Sequence, residues 1–363
     1  MKKFVWLLVG LSILGGIIFW IDKSGGNILN PLSEKKQKQD LKKSNKVFGF
    51  LPTWMVGKTR LYGDELSHLI FLGIEVESTG DLVWDVQSKK INNDDFLKQK
   101  RNISKTEGKN ILGIKLFEDE KLDKFLSNKT ARGNLIKQVT EVVKQNNFDG
   151  VNIDFEYQGN PVAILNQNFG DFLDELRSAK IGEISVDVFV NTIVKGDSES
   201  LKNLVNKTDY LILMAYDFHR PGVDFAGAVA PIRSKTGERN ITEGVEKIIE
   251  IGLDKNKIIM AYPLYGYEWK TYTQDFGAAI KRGWYQMSSW KRTKDLIKEK
   301  NLEVKWDELS MTPWLVFEEG GQIHQIYFEN KESMARKIEL VKNNQLGGYG
   351  FWALGYEGEE NVF

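Results

Sequence analysis

The sequence FDGVNIDFEY at residues 148–157 decides the fold, because apolar and polar side chains alternate along it. The apolar positions are Val151, Ile153 and Phe155. The polar positions between and after them are Asn152, Asp154 and Glu156. Successive side chains of a β-strand point to opposite faces. The pattern therefore predicts a strand whose apolar face packs under helices and whose polar face points into a barrel.

Seven further short apolar runs, rich in β-branched residues, accompany this strand and alternate with helical patterns. The eight predicted strands are 47–51, 68–74, 111–116, 150–155, 184–190, 210–215, 258–262 and 349–353. The main predicted helices are 134–145, 169–179, 241–251, 289–300 and 331–343. Eight strand–helix units in about 310 residues indicate an α/β fold of the (β/α)8, or TIM, barrel type. The competing fold, an open doubly wound sheet, lacks support because no G-x-G-x-x-G or phosphate-binding loop follows the first strand.

Composition limits the chemistry. The chain has 363 residues, 41% hydrophobic and 28% charged, which excludes global disorder. Its 50 basic and 50 acidic residues balance, but beyond residue 46 there are 41 basic and 47 acidic residues, so no basic surface for nucleic acid is expected. There is no Cys, and only three scattered His are present. Thiolate chemistry is thus excluded, and neither a metal site nor a cofactor is expected.

The N-terminus carries a predicted membrane segment, residues 1–21. Two lysines precede an apolar run of 18 residues at 4–21, which is at the lower limit for a spanning helix but long for a signal-peptide core. An A-x-A cleavage site is excluded here because the first alanine of the chain is Ala131. We therefore expect an uncleaved signal anchor, with a cleaved signal peptide as the alternative.

A polar stretch at 22–46, rich in Lys, Ser, Asn and Gln, follows and is predicted to be a solvated linker. Residues 47–363 are predicted to form one (β/α)8 domain. We expect this domain to be extracytoplasmic and monomeric, with the membrane contacted only through the N-terminal segment.

Asp154 and Glu156 indicate chemistry, because burying an unpaired carboxylate costs several kcal/mol and stability alone would not select it. Glu156 falls at the C-terminal end of its strand, where barrel active sites lie. The two Cα atoms are ~6.5 Å apart, so one carboxyl keeps its proton to a higher pH. We expect Glu156 to donate a proton to a leaving oxygen and Asp154 to stay beneath the reacting carbon as an anion or acceptor. The alternatives are a Mg²⁺ or Ca²⁺ site and a solvated strand edge.

The octapeptide DGVNIDFE at 149–156 resembles the D-G-x-D-x-D-x-E signature of family 18 glycoside hydrolases, the chitinase-like enzymes. Three more segments resemble family motifs in the same order: MAYD at 214–217, YPLYG at 262–266 and GGYGFW at 347–352. Trp306, His324 and the YFEN segment at 327–330 further resemble the compact N-acetylglucosaminidases that lyse bacterial spore cortex. About 80 residues separate strands seven and eight, enough for a small inserted domain but not for the large one of processive chitinases.

The resemblance implies a glycoside hydrolase that cleaves β-linked N-acetylglucosamine glycans by a substrate-assisted, retaining mechanism. Glu156 would be the acid and then the base. Asp154 would hold the 2-acetamido group, whose oxygen attacks the anomeric carbon, and Tyr216 would hydrogen-bond the acetamido carbonyl. Asp217 would contact the same sugar and Trp352 would form the floor of the −1 subsite. The other expected substrate contacts are Asp149, Asn152, Tyr157, Met214, Tyr262, Trp54 and Trp269.

Asn152 departs from the family signature, which has an aspartate at that position. An aspartate there can share a proton with its neighbour, whereas Asn152 donates hydrogen bonds but does not titrate. We expect activity with an altered acid limb. The alternative is a non-catalytic, lectin-like barrel that binds amino sugars, although the presence of Glu156 favours the hydrolase. Chitin and peptidoglycan both remain candidate substrates, and endo and exo cleavage both remain open.

Overall fold

The computed structural model describes residues 45–235 and 237–362. This part of the chain contains fourteen strands: β1 (Lys46–Pro52), β2 (His68–Val76), β3 (Leu82–Val83), β4 (Lys109–Leu116), β5 (Gly150–Phe155), β6 (Glu183–Phe189), β7 (Tyr210–Met214), β8 (Ile258–Pro263), β9 (Tyr265–Thr271), β10 (Ile280–Ser289), β11 (Lys305–Asp307), β12 (Thr312–Glu319), β13 (Gln322–Tyr327) and β14 (Gly348–Trp352). It also contains nine α-helices: α1 (Asp94–Lys105), α2 (Asp119–Ser127), α3 (Lys129–Gln145), α4 (Gln167–Ser178), α5 (Val190–Lys195), α6 (Ser198–Lys207), α7 (Ile241–Ile251), α8 (Trp290–Lys300) and α9 (Lys331–Asn343).

Eight parallel strands close into a barrel. Their order is β1, β14, β8, β7, β6, β5, β4 and β2, and β2 pairs with β1 to complete the circle. Each of these strands coincides with one of the eight predicted from the sequence, to within two residues at either end. The (β/α)8 prediction is therefore confirmed.

The core has two layers, one inside the barrel and one outside it. Inside, apolar side chains of β1, β2, β4, β7 and β8 fill the lower part: Phe48, Phe50, Ile70, Leu72, Ile111, Ile212, Ile259 and Ala261. Outside, the strands pack against the helices. Phe155 of β5, for example, lies edge-on to Phe125 of α2 and stacks on Phe172 of α4. No side chain of this interior layer comes from β5 or β6, and the C-terminal halves of these two strands carry polar side chains instead. The site therefore lies at this end of the barrel.

A small antiparallel sheet is inserted between β8 and β14. Its order is β10, β9, β13, β12 and β11, and α8 connects β10 to β11. The sheet has its own aromatic core, in which Trp314 stacks on Tyr327 and Trp269 meets the edge of Tyr327. This insertion agrees with the small domain that the sequence allows between strands seven and eight.

A buried ion pair marks the return from the insertion to the barrel. Glu329 follows β13, and its Oε2 lies 2.8 Å from the Nζ of Lys337 in α9. Both side chains are 0% exposed. The Tyr262 hydroxyl at the end of β8 donates to the Lys337 carbonyl at 3.1 Å, so helix, insertion and barrel meet at this point.

The predicted membrane segment at 1–21 lies outside the described residues, and so does nearly all of the predicted linker at 22–46. Across residues 45–235 and 237–362, no helix is both long enough and apolar enough to span a bilayer.

Candidate active site

The acidic strand β5 carries its polar side chains into the barrel, as the alternation predicts. Asn152 is 0% and Asp154 4% exposed, whereas Glu156, just beyond the strand, is half-buried. Close packing of β5 and β6 requires Gly150, because a Cβ there would lie 2.1 Å from the Glu183 carbonyl oxygen. The burial of Asp154 excludes the alternative of a solvated strand edge.

A cavity of about 290 Å³ opens over these residues at the C-terminal mouth of the barrel. The side chains that define its chemistry are Asp154, Glu156, Asp187, Tyr216, Asp217 and Trp352. They come from the ends of four strands, β5, β6, β7 and β14. The cavity therefore has an acidic wall and an aromatic wall.

Burial and like charges raise the pKa of Asp154 well above its ordinary value; the largest cause is burial, followed by the charges of Glu156 and Asp187. Burial also raises the pKa of Glu156, although hydrogen bonds from Asp154 and Gln158 and the charge of Arg220 oppose it. The hydrogen bond between the two carboxyls raises the pKa of Asp154 and lowers that of Glu156. Of the two carboxyls, Asp154 is the one whose pKa burial and like charges raise more strongly.

The difference between the two carboxyls is one of solvation. Asp154 is sealed inside the barrel next to Asp187, whereas Glu156 is half-buried and accepts a hydrogen bond from the Gln158 amide. The more deeply buried carboxyl is the more costly one to ionise, so its pKa is raised further.

Tyr216 and Asp217 follow β7 and form the floor of the cavity opposite the acids. Asp217 adopts a left-handed backbone conformation with φ of 59°, which is strained for a residue with a side chain. Its Oδ1 accepts hydrogen bonds from the hydroxyls of Tyr265 at 2.6 Å and Tyr267 at 3.4 Å. Burial raises the pKa of Tyr216 well above its ordinary value, so its hydroxyl remains a hydrogen-bond donor at neutral pH.

Trp352 and Trp54 supply the aromatic wall. Their ring centroids lie 6.0 Å apart at 83°, and Trp352 also contacts the ring of Phe50 edge-on at 6.0 Å. Trp54 is 38% exposed, so part of its face is open to the cavity. Met214 also lines this cavity. A flat aromatic surface of this kind suits the apolar face of a pyranose ring.

Five predicted substrate contacts do not line the cavity, and these predictions are corrected. Asp149 lies before β5, at the other end of the strand, where its Oδ2 accepts the Asn110 amide at 2.8 Å. The Tyr157 hydroxyl donates to Asp123 at 2.7 Å and is packed away from the cavity. Tyr262 points outward to α9.

Trp269 is the fourth residue outside the cavity. It is 0% exposed and belongs to the core of the inserted sheet, where its ring meets the edge of the Tyr327 ring. Asn152 lies beneath the cavity floor rather than in its lining. Its Nδ2 donates to Asp187 Oδ1 at 2.8 Å and to Ser185 Oγ at 3.1 Å, not to Asp154.

Three charged residues of the cavity were not predicted from the sequence: Asp187, Lys115 and Arg220. Asp187 had a detectable signal, because Ser185 and Asp187 on β6 repeat the alternation seen on β5. Lys115 and Arg220 had none, since a lysine in a strand and an arginine in a loop are usually surface residues. Within the described ranges, no three acidic or histidine side chains are grouped as a metal site would require.

A carboxyl pair at the mouth of a (β/α)8 barrel, faced by a tryptophan wall, is the type of site found in glycoside hydrolases. The family model for glycosyl hydrolases family 18 matches residues 42–357. The chain therefore belongs to glycosyl hydrolases family 18, and the predicted enzyme class, O-glycosyl hydrolase, is confirmed.

Individual relatives agree with this assignment. A putative sporulation-specific glycosylase of Bacillus subtilis is 27% identical over 247 residues, which cover 66% of this chain and 54% of that relative. The chain thus matches about half of that protein's length. A family GH18 chitinase from Cycas revoluta, solved with (GlcNAc)3, has a TM-score of 0.74 at 20% identity and covers 86% of this chain and 96% of its own.

A third relative concerns the branch within the family. The spore cortex-lytic enzyme of Bacillus megaterium has a TM-score of 0.67 at 20% identity, covering 86% of this chain and 71% of its own. Together with the sporulation glycosylase, it confirms the predicted resemblance to cortex-lytic enzymes.

Proposed function

We propose that the protein hydrolyses β-linked N-acetylglucosamine glycans with retention of configuration, that Glu156 is its acid and base, and that the acetamido group of the substrate is the nucleophile. The observation that carries the proposal is the pair of neighbouring carboxyls, Asp154 and Glu156, which line the same cavity as Tyr216. One proton shared by this pair has two positions, and each suits one stage of the reaction.

In the first stage, the shared proton moves from Asp154 to Glu156 as the acetamido N–H binds. Asp154 becomes an anion that accepts this N–H, and the Tyr216 hydroxyl donates to the acetamido carbonyl oxygen. Glu156 then gives its proton to the glycosidic oxygen while the acetamido oxygen attacks the anomeric carbon. The bond to the leaving sugar breaks and a cationic oxazolinium ion forms, which Asp154 stabilises electrostatically.

In the second stage, water replaces the leaving sugar. Glu156 is now a carboxylate and takes a proton from the water. The water oxygen attacks the anomeric carbon from the face that the leaving sugar has vacated, opposite the acetamido oxygen. The acetamido group is released, and Glu156 regains its proton. Two displacements at one carbon give retention. The wall formed by Trp352 excludes solvent from one face of the sugar and holds it in place.

The substrate is supported by relatives and by one cation in the site. The Cycas revoluta chitinase was solved with an N-acetylglucosamine trimer, and the Bacillus relatives are described as sporulation-specific or cortex-lytic. In this chain, the exposed Arg220 borders both the main cavity and an adjoining one of about 230 Å³, and it makes no salt bridge within the described residues. Its guanidinium suits a carboxylate on the glycan. Peptidoglycan carries such groups and chitin does not, so we favour peptidoglycan.

The substrate preference can be tested with Arg220→Met. We expect the ratio of kcat/KM on peptidoglycan strands to that on chito-oligosaccharides to fall by about 10-fold, since a charged hydrogen bond contributes about 1.5 kcal/mol or more. Arg282→Met, which removes a remote exposed arginine paired with Asp224, is the matched control. An unchanged ratio in the Arg220 variant would contradict the preference for peptidoglycan.

The acid assignment is tested with Glu156→Gln, which deletes only the titrating oxygen. We expect at least ~10²-fold loss of kcat on a fluorogenic chito-oligosaccharide with binding retained. Glu308→Gln, the same change at an exposed position of the insertion, should leave kcat unchanged. NMR of the first product should show the β-anomer. Wild-type protein that binds the oligosaccharide without cleaving it would support the lectin-like alternative, which the non-titrating Asn152 favours.

The proposed location is outside the cytoplasm, with residues 1–21 as an uncleaved anchor. Its support is the uninterrupted apolar run behind two lysines. The measurement is fractionation of the natural host followed by N-terminal analysis of the protein. Recovery from the soluble external fraction with a new N-terminus near residue 24 would instead show a cleaved signal peptide.

A further inference from the structure

A third buried carboxyl, Asp187 of β6, lies next to Asp154. The register of the two parallel strands pairs Ile153 with Val186, so Asp154 and Asp187 occupy the next pair of positions and point into the same cavity. Asp187 is 3% exposed. Neighbouring strands are about 4.8 Å apart, so the two carboxyls are within reach of one another.

The hydrogen bonds around these groups leave buried oxygens without a donor. Asp187 Oδ1 accepts from Asn152 Nδ2 at 2.8 Å, which fixes one of its two oxygens. Asp154 Oδ1 is buried and has no hydrogen-bond partner among the described residues, and the same is true of Asn152 Oδ1. A buried acceptor without a donor is costly. The charge of Asp187 acts on Asp154, so a proton on the second oxygen of Asp187 would relieve the repulsion and place a donor on the carboxyl next to this unpartnered oxygen.

The charges that face Asp187 favour this proton. Asp154 and Glu156 approach it from β5, Tyr216 approaches from the end of β7, and Lys115 lies beyond Asp154 on β4 with its ammonium 2.9 Å from Glu75. Burial, followed by the charge of Glu156, raises the pKa of Asp187 well above its ordinary value, and only the Asn152 hydrogen bond opposes this. Three carboxyls in one wall cannot all ionise.

We propose that Asp187 is a positioning residue of the hydrolytic site: it holds a proton on its free oxygen, donates it in a hydrogen bond to Asp154, and so keeps Asp154 anionic while Glu156 is protonated. The inference rests on the proposed function. No proton is consumed, because the Asp187 proton remains within the hydrogen bond throughout both stages. Asn152, which does not titrate, orients Asp187 and leaves to it the proton-sharing role that an aspartate at position 152 would have.

Three variants test this. Asp187→Asn keeps the shape and a donor but abolishes titration, so we expect less than about 10-fold loss of kcat together with a changed pH profile of kcat. Asp187→Ala removes the donor, and we expect about 10²-fold loss of kcat with little change in KM. The exchange variant Asn152→Asp/Asp187→Asn returns a titrating acid to β5, and we expect its pH profile to resemble that of the wild type more closely than the profile of Asp187→Asn does.

Oligosaccharide binding and thermal unfolding of each variant show whether it is folded. The inference is overturned if Asp187→Ala keeps kcat within about 3-fold of the wild type, or if the pH profile of Asp187→Asn coincides with that of the wild type. Failure of the proposed function is a different result, namely a folded wild-type protein that cleaves neither peptidoglycan nor chito-oligosaccharides.

Discussion

Replacing Lys337 by Met should destabilise the protein in a strongly pH-dependent way. The substitution keeps most of the side-chain volume but removes the one cation among the described residues that contacts the buried Glu329 carboxylate, 2.8 Å away. Ser333 Oγ still donates to Glu329 at 2.6 Å, which is insufficient for a charge with no solvent contact. The least costly response is for Glu329 to take up a proton.

The size of the effect follows from that protonation. The ordinary pKa of a glutamate is 4.5, and burial already raises the pKa of Glu329, with Lys337 as the largest opposing influence. Each pKa unit corresponds to about 1.4 kcal/mol, so protonating this carboxyl costs about 3.4 kcal/mol at pH 7 and about 0.8 kcal/mol at pH 5. This cost of protonation at pH 7 lies in the range of about 3–5 kcal/mol that is typical of breaking a buried ion pair.

The sign of the pH dependence is fixed by linkage. With Lys337 removed, the folded-state pKa of Glu329 lies above its unfolded value, so between the two values the folded state binds a proton that the unfolded state lacks. Stability of Lys337→Met is therefore lost as the pH rises from about 4.5 toward neutrality. The assay is urea unfolding followed by tryptophan fluorescence at pH 5, 6 and 7.

The matched control is Glu329→Gln/Lys337→Met, in which neither of the two positions titrates. Its stability relative to the wild type should vary far less between pH 5 and 7. If Lys337→Met loses the same free energy of unfolding at both pH values, Glu329 is not an uncompensated buried carboxylate and the reasoning fails.

Three further perturbations test the aromatic wall, the strand contact and the mechanism. Trp54→Ala should raise KM by about 3- to 10-fold with little change in kcat, because one aromatic contact contributes about 0.5–1.5 kcal/mol; steady-state kinetics would contradict this if kcat fell instead. Gly150→Ala should lower the free energy of unfolding by at least about 1–3 kcal/mol, since its Cβ would meet the Glu183 carbonyl at 2.1 Å. Gly133→Ala, on a helix with nothing within 4 Å of the new Cβ, is the control and should be neutral or stabilising. A chelator should leave the rate within about 2-fold, because the proposed nucleophile is the substrate's own amide; loss that added Mg²⁺ restores would contradict the mechanism.

The barrel was predictable because its strands obey a local rule. Each barrel strand is a short, mainly apolar run, and the helices between them carry local end signals. Helices α7 and α9 were predicted to the residue. Asn240 and Asn330 cap their N-termini, and Gly252 ends α7 with φ of 67°. Such signals depend on a few neighbouring residues and are therefore visible in the sequence.

The inserted sheet was not resolved into strands because its pairing is long-range. Strand β9 pairs with β13, more than fifty residues further along the chain, and β10 is largely exposed with weak alternation. Helix α1 escaped detection for a related reason, since it has few apolar positions; its buried residues are Phe96, Gln99 and Ile103. Tertiary contacts, rather than local patterns, specify these elements.

Most residues of the site were predictable from the direction of the barrel strands and the alternation of their side chains. Where the prediction of a residue was wrong, this alternation had not been applied. Asp154, Glu156, Tyr216 and Trp352 were placed at strand ends, and the cavity brings them together. Tyr262 follows Ala261, which faces the barrel interior, so alternation already required Tyr262 to point outward. Asp187 was overlooked although alternation favoured it. The stronger rise in the pKa of Asp154 was not predictable, because it depends on the difference in solvation between two neighbouring carboxyls.

The two tyrosines that hold Asp217 make the inserted sheet part of the candidate active site. Tyr265 and Tyr267 lie on β9, the first strand of the insertion, and they reach back to the strained residue beside Tyr216. Deleting the whole insertion to widen the entrance for bulkier glycans would therefore also remove the hydrogen bonds that hold Asp217 in place. Redesign of substrate access is better confined to the outer hairpins from β10 to β12, with the opening residues of β9 kept as a fixed support.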